Sequence, residues 1–288
     1  MKKMNYLVAL VMTAIMSVTA VAQELPKPSP AAKVEQRIGL TDVSVVYSRP
    51  SVKGRVIFGD LVAYDKIWRT GANLNTLVTF SDDVKVEGQA LKAGTYSFFL
   101  TPSKEGDWKV IFNSVVDGWG TGKYDAANDV LTLTAKPVTL ANVQESMLFT
   151  FENLSKTQGE LRFAWDKVSL SLKIEVDVDK KVWENVVKAV AEVTDENKVE
   201  VYRNAAKHAA STKQRLEEGL KWINASIEAK ESWYSYWVKA DVQHAAGDNK
   251  GAIASAKKAI ELGEADAKEN GKEFGYKERL EKAITEFK

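Results

Sequence analysis

KVSLSLKIEVDVDKKVWENVVKAV, residues 167–190, changes its period midway. Val168, Leu170, Leu172, Ile174 and Val176 alternate with Ser169, Ser171, Lys173 and Glu175. That is the pattern of a β-strand with one buried and one wetted face. From Asp179 onward Val182, Trp183, Val186, Val187 and Val190 recur at spacings of three and four, the stripe of an amphipathic helix. A β-rich half ends here and a helical half begins.

Toward the N-terminus the period of two persists. Val43 and Val45 alternate with Asp42 and Ser44; Leu77, Val78 and Phe80 form a short run; Val84 and Val86 lead into a Glu87-Gly88 turn. Residues 94–100 and 108–112 read as aromatic and β-branched strands joined by a hairpin turn at 103–107. Residues 130–135, residues 147–151 and the series Leu161, Phe163, Trp165 follow. Roughly eight to ten short strands, with no room for crossover helices, predict an antiparallel β-sandwich or jelly roll. Ahead of them, Leu25-Pro26-Lys27-Pro28-Ser29-Pro30 is an extended leader, because alternate prolines favour polyproline II.

Beyond Asp179 an alanine-rich helical pattern runs to Lys288, with breaks predicted at Gly247, Gly263, Gly271 and Gly275. Gly219, Ile223 and Ser226 recur at one constant offset as Ala252, Ala256 and Ala259, small residues that let two helices approach closely. Residues 246–260 resemble the turn and second helix of a tetratricopeptide repeat. The match is one good unit and one poor one: Lys239-Ala240 replaces the Leu-Gly pair of the first helix, and Gly263 the closing proline. The expected tail is a tetratricopeptide-like helical hairpin array, with an unrelated helical bundle as the alternative.

Lys2 and Lys3, an apolar stretch over residues 7–18 and the small residues Ala20-Val21-Ala22 predict a signal peptide cleaved before Gln23. The apolar stretch is too short for a membrane span, although an N-terminal anchor helix is the alternative. The expected plan is a signal peptide at 1–22, a β-sandwich domain at 23–178 and a helical domain at 179–288. The expected location is periplasmic or secreted, with no membrane insertion after cleavage. The chain has a formal net charge of +1, and Lys2 and Lys3 leave with the leader. Charge therefore favours neither nucleic acid nor an anionic membrane. With no cysteine, the fold must be held by its core rather than by disulfides.

Absent residue types bound the chemistry. The β-half has no histidine and no cysteine; His208 and His244 both lie in the helical half. Ser-His-Asp and Cys-His machinery, and a zinc site with imidazole or thiolate ligands, are excluded from it. Residues 117–124 look superficially like a phosphate loop, but Asp117 occupies the first glycine position and Tyr124 the Ser/Thr position. Asp177 and Asp179 lack the glycine and closing glutamate of a calcium loop. The sequence assigns no catalytic residue, no metal site and no cofactor.

The densest candidate site is residues 47–75, YSRPSVKGRVIFGDLVAYDKIWRTGANLN. It sets Arg49, Lys53, Arg55, Lys66 and Arg69 around Asp60 and Asp65, with Trp68 and a Gly71-Ala72-Asn73 turn. A guanidinium fork clamps carboxylates, phosphates or sulfates through two bonds. Arg49, Lys53, Arg55, Trp68, Arg69 and Asn73 are therefore candidate ligand-binding residues for an anionic small molecule or a glycan. The plain alternative is that the arginines bridge Asp60, Asp65 or other acids and that Trp68 is core. A second candidate is Trp119 with Tyr124 and Asp125, flanked by Asp117 and Asp129. An indole on a glycine-flanked loop offers a flat face to a sugar, and paired carboxylates can serve glycoside hydrolysis; closing a sandwich end is the alternative. The third is Trp233-Tyr234-Ser235-Tyr236-Trp237, where Trp233 and Trp237 share a helix face with Tyr234 elsewhere around it. Helical repeats hold peptides on concave faces, and core packing is the alternative.

The β-half also resembles a family of exported bacterial proteins, domain-of-unknown-function family 2911. The resemblance is carried by residues 47–55, Ile57-Phe58-Gly59, Leu61-Val62, residues 67–73, Ala93-Gly94-Thr95-Tyr96 and Trp108-Lys109-Val110-Ile111. Trp119-Gly120, Tyr124-Asp125 and Asp129-Val130-Leu131 continue it, so that it spans most of residues 27–176. Family members often carry an acid after the Gly-Ala-Asn turn, where this chain has Leu74. The resemblance implies an exported β-rich domain, frequently followed by a helical tail, and implies no activity, cofactor or substrate.

These readings converge on an exported binding protein of unknown ligand. A β-sandwich binds an anionic small molecule or glycan, and a helical tail holds a protein partner or packs. The alternatives are a metal-independent glycan hydrolase using Asp117, Asp125 or Asp129, and a structural component of the cell envelope.

Overall fold

The computed structural model describes residues 25–288; the expected leader, 1–22, lies outside them. The chain divides into two compact units after Glu175. The first is built from β1 (Ala31–Ile38), β2 (Thr41–Ser48), β3 (Leu77–Phe80), β4 (Val84–Val86), β5 (Gln89–Leu91), β6 (Gly94–Thr101), β7 (Trp108–Asn113), β8 (Asp129–Ala135), β9 (Val138–Glu152) and β10 (Gln158–Val176). A six-stranded sheet has the order β1-β2-β3-β6-β7-β8, and a four-stranded sheet the order β5-β4-β10-β9. Both are antiparallel, as the alternating pattern predicts.

One aromatic core joins their inner faces. Phe149 of β9 meets Phe98 of β6 with ring centroids 5.9 Å apart and Tyr47 of β2 at 4.9 Å. Trp68, between β2 and β3, stacks on Trp165 of β10 at 5.7 Å and 19°, with Phe58 and Phe163 edge-on to it. Its backbone is fixed by a reciprocal pair: Trp68 N donates to the Leu100 carbonyl at 2.8 Å and Leu100 N to the Trp68 carbonyl at 3.0 Å. The β4–β5 hairpin turns on Glu87 and Gly88, at φ 48° and 76°. Two successive left-handed residues are what a two-residue hairpin loop with the right twist requires.

The structure departs from the pattern at three places in this unit. The β1 strand was not anticipated; at the edge of the sheet it alternates, with Lys33, Glu35 and Arg37 on its exposed face and Ala32, Val34 and Ile38 on the other. The β9 strand starts at Val138, well before the predicted start, because much of its first half is exposed. Two predicted strands merge into β10 across a bulge near Asp166, which sits at φ 53°. An extra residue reverses which side chains face inward. Leu161, Phe163 and Trp165 are buried before the bulge and Leu170, Leu172, Ile174 and Val176 after it. At the crossover Ser169 is buried and Val168 only half-buried, so the predicted alternation holds from Leu170 onward.

The second unit contains α1 (Val178–Ala191), α2 (Lys198–Thr212), α3 (Leu216–Ala229), α4 (Trp233–Ala245), α5 (Asn249–Glu269) and α6 (Lys277–Glu286). Asp177, Ser232 and Asp248 cap α1, α4 and α5 by accepting backbone N–H bonds, satisfying donors that helix starts leave open. The pairs α2/α3 and α4/α5 pack as hairpins. Gly219, Ile223 and Ser226 are buried on α3, and Ala252, Ala256 and Ala259 on α5. Gly263 does not break a helix, contrary to the sequence expectation. It lies within α5, where the Phe274 ring occupies the space a Cβ would need.

Truncation of Trp68 tests the core. Trp68→Ala is expected to cost about 3–5 kcal/mol, read as a lowered urea midpoint for the β-unit. A loss below about 1 kcal/mol would show that the stack on Trp165 contributes no more than an ordinary surface residue.

Candidate functional site

The structure distributes the candidate residues of the basic segment among different tasks. After β2 the chain runs along β9: Val52 N donates to the Glu145 carbonyl at 2.8 Å and Met147 N to the Pro50 carbonyl at 2.9 Å. Arg49 Nε donates to the Met147 carbonyl at 2.9 Å. Arg55 folds back on its own turn, donating from Nε to the Val52 carbonyl at 3.1 Å and from Nη2 to the Ser51 carbonyl at 2.5 Å. Lys53, at φ 49°, donates its backbone N–H to Glu145 Oε1 at 2.9 Å. Asn73 Nδ2 donates to the Ser29 carbonyl at 3.1 Å and to Ser48 Oγ at 3.2 Å. None of the ion pairs among the described residues joins these arginines to Asp60 or Asp65. Arg49 instead bonds a carbonyl of β9, and Arg55 bonds carbonyls of its own turn.

Trp68 is 9% exposed and enclosed by Phe58, Phe163 and Trp165. Its face is taken by the core, which removes it from the set of ligand-contacting residues. Tyr124 and Asp125 brace the turn before β8. Tyr124 packs edge-on to Phe99 at 5.2 Å, and its hydroxyl donates to Asp129 Oδ2 at 2.9 Å. Asp125 Oδ1 accepts from Ala127 N at 2.9 Å, while Asn113 Nδ2 donates to the Asp125 carbonyl at 3.0 Å and to Asp129 Oδ1 at 2.8 Å. Burial, then the Asp129 bond and the Asp129 and Asp125 charges, push the Tyr124 phenol from 10.0 up to about 12. Asp117 is bound by Lys123 at 2.6 Å, and that bond holds its carboxyl below the usual range.

Arg69 and Trp119 do come together. Asn75 N donates to the Gly118 carbonyl at 3.1 Å, and Leu74 bridges to Trp119. Gly118 is required here, because a Cβ would overlap the Asn75 amide. This pairing leaves Trp119 70% and Leu74 64% exposed, and sets the Arg69 guanidinium 5.9 Å from the Trp119 ring centroid. Arg69 Nε is buried with no hydrogen-bond partner, as is Asn75 Oδ1. Burial lowers the Arg69 pKa. Next to it Thr70, fully buried, is held at φ 53°, with its carbonyl accepting from Thr76 Oγ1 at 2.6 Å. A β-branched residue in the left-handed region is strained, and such strain gathers at functional sites. Sequence reasoning found Arg69 and Trp119 through their residue types. It missed Thr70 and Asn75, whose conformation and unpaired atom have no sequence signal.

Two substitutions separate the roles of the arginines. Arg49→Met strands the Met147 carbonyl and is expected to cost about 1–3 kcal/mol. Arg69→Met removes a partly desolvated charge with no partner and is expected to leave the thermal midpoint unchanged or raised. Equal destabilisation by both would place Arg69 with the structural residues. The phenol supplies a pH test. A folded pKa raised above the unfolded 10.0 means stability is fully present below pH 10.0 and is lost as pH rises toward about 12. Tyr124→Phe is expected to flatten that part of the stability profile; an unchanged profile would refute the assignment.

Among the described residues no cluster of His, Cys, Asp or Glu is placed to hold a metal, and no helix is long and apolar enough to cross a membrane. No curated protein and no solved structure matches the chain. A family signature does match, over residues 29–174, and takes in β1 through most of β10 together with Arg69 and Trp119. This chain belongs to the family described as Protein of unknown function (DUF2911).

Proposed function

We propose that this protein is an exported binding protein whose β-sandwich takes an anionic ligand, an acidic glycan in particular, at Arg69 and Trp119. The observation that carries this reading is the Arg69 guanidinium: half-buried, its Nε unpaired, beside an exposed indole. A buried donor left without a partner costs more than the bond it would make, so the site gains when an acceptor arrives. A carboxylate or sulfate suits the free fork, and the C–H face of a sugar ring suits the flat surface of Trp119 with Leu74 beside it. Export rests on Lys2, Lys3, the apolar stretch 7–18 and Ala20-Val21-Ala22. For the tail we infer a tetratricopeptide-like array serving a protein partner, supported by the buried positions Gly219, Ile223 and Ser226 of α3 that recur as Ala252, Ala256 and Ala259 of α5. Asp117, Asp125 and Asp129 each already serve a local hydrogen bond, which favours binding over hydrolysis.

Titration calorimetry with sulfated, uronate-bearing and neutral oligosaccharides tests the reading. The acidic ones are expected to bind and the neutral ones not. Arg69→Met and Trp119→Ala are each expected to weaken binding about tenfold or more, about 1.4 kcal/mol, without lowering the thermal midpoint. Equal affinity for neutral sugars, or full affinity in Arg69→Met, would sink it.

A further inference from the structure

The helical unit holds a cavity of about 390 Å³ whose walls include Lys207, Trp233, Trp237, Asp241, Tyr276 and Arg279. That volume lies at the small end of the range for small-molecule sites. Its apolar wall is an aromatic box. Trp233 stacks on Tyr276 at 5.0 Å and 28°, Trp237 meets Tyr276 at 5.7 Å, and Tyr234 closes on Trp237 at 6.2 Å. Tyr234 lies elsewhere around the helix from Trp237, packing on the cluster of Ala206, Ile223 and Val242, and still reaches the cavity wall. Core packing does not account for the whole arrangement, since Tyr276 remains 47% exposed.

The charged groups set the chemistry. Asp241 is half-buried in this aromatic setting. Desolvation raises the pKa of its carboxyl, with Arg279, His244, Lys207 and a hydrogen bond from the Trp237 side chain offsetting part of the effect. No ion pair of the helical unit engages Asp241, Lys207 or Arg279. Arg279 lies over the Trp237 ring at 4.8 Å, and Lys207 Nζ donates to the Tyr234 hydroxyl at 3.0 Å. One recessed carboxylate, already bonded by the Trp237 side chain, thus faces two cations that act on it through space without a direct ion pair, across an aromatic wall. A simple cation would meet Lys207 and Arg279 with repulsion, and a simple anion would meet Asp241. A ligand carrying both charges matches all three.

We propose that this cavity binds a zwitterionic α-amino acid with an aromatic or large apolar side chain. The ammonium pairs with Asp241, the carboxylate with Arg279 and Lys207, and the side chain lies against Trp233, Trp237 and Tyr276. Apolar contact and charge pairing in a partly desolvated pocket reinforce each other.

Calorimetry on the full chain with L-phenylalanine, phenethylamine and 3-phenylpropanoate reads the claim directly. The amino acid is expected to bind at least about tenfold more tightly than either analogue, which lacks one of its charges. Asp241→Asn and Arg279→Met are each expected to cost a similar factor. Arg279 is exposed, so its variant keeps the test valid should Asp241→Asn unfold the tail. Arg69→Met is expected to leave this binding unchanged, which keeps the result independent of the sandwich site. Binding of phenethylamine as tight as that of phenylalanine would overturn the zwitterion in favour of a plain amine site. Absence of binding for phenylalanine, leucine and tryptophan alike would overturn the site itself.

Discussion

The sandwich depends on the strap that residues 49–53 form along β9. The chain leaves the six-stranded sheet at Ser48, and its next residues bind the other sheet through Val52 N to Glu145, Met147 N to Pro50 and Arg49 Nε to Met147. Backbone polar groups removed from water must find partners. Here an irregular segment finds them on a neighbouring strand, and in doing so fastens one sheet to the other. Beyond the strap, Ile57, Val62 and then Trp68 are buried in the core, Trp68 against Trp165.

Once Arg49 and Arg55 are committed to carbonyls, the arginine-rich segment has a different character from the one its composition suggests. Its cations do not converge. Two are structural, and one, Arg69, follows a buried tryptophan and precedes a strained threonine, with the Trp119 loop against it. A guanidinium that contacts an indole but no acceptor is what remains after the fold has used the others.

Much of the architecture was legible in residue order. The period change near Asp179, the alternation of Leu170 to Val176 and the small residues repeated between α3 and α5 all carry local physical signals, because a strand or helix must present one face to its neighbours. The edge strand β1, the bulge at Asp166 and the helical course through Gly263 were not legible. An edge strand needs only one paired side, and a bulge depends on the partner's register. A glycine inside a helix is explained only by the Phe274 ring that packs against it.

The candidate sites divide along the same line. Residue order and composition set which chemistries were available: no thiol anywhere, no imidazole in the β-half, a cluster of arginines at residues 49–69, eight tryptophans, and two halves of different period. Which of these groups were free was settled by how the chain packs. Arg49 and Arg69 are the same residue type in the same segment, yet the Nε of one bonds a carbonyl of β9 and the buried Nε of the other has no hydrogen-bond partner. Asp241 gains its meaning only when Tyr276 and Arg279 arrive from a later part of the chain. Residue type fixes what a side chain can donate or accept; whether that capacity is already spent depends on long-range contacts that no local pattern encodes.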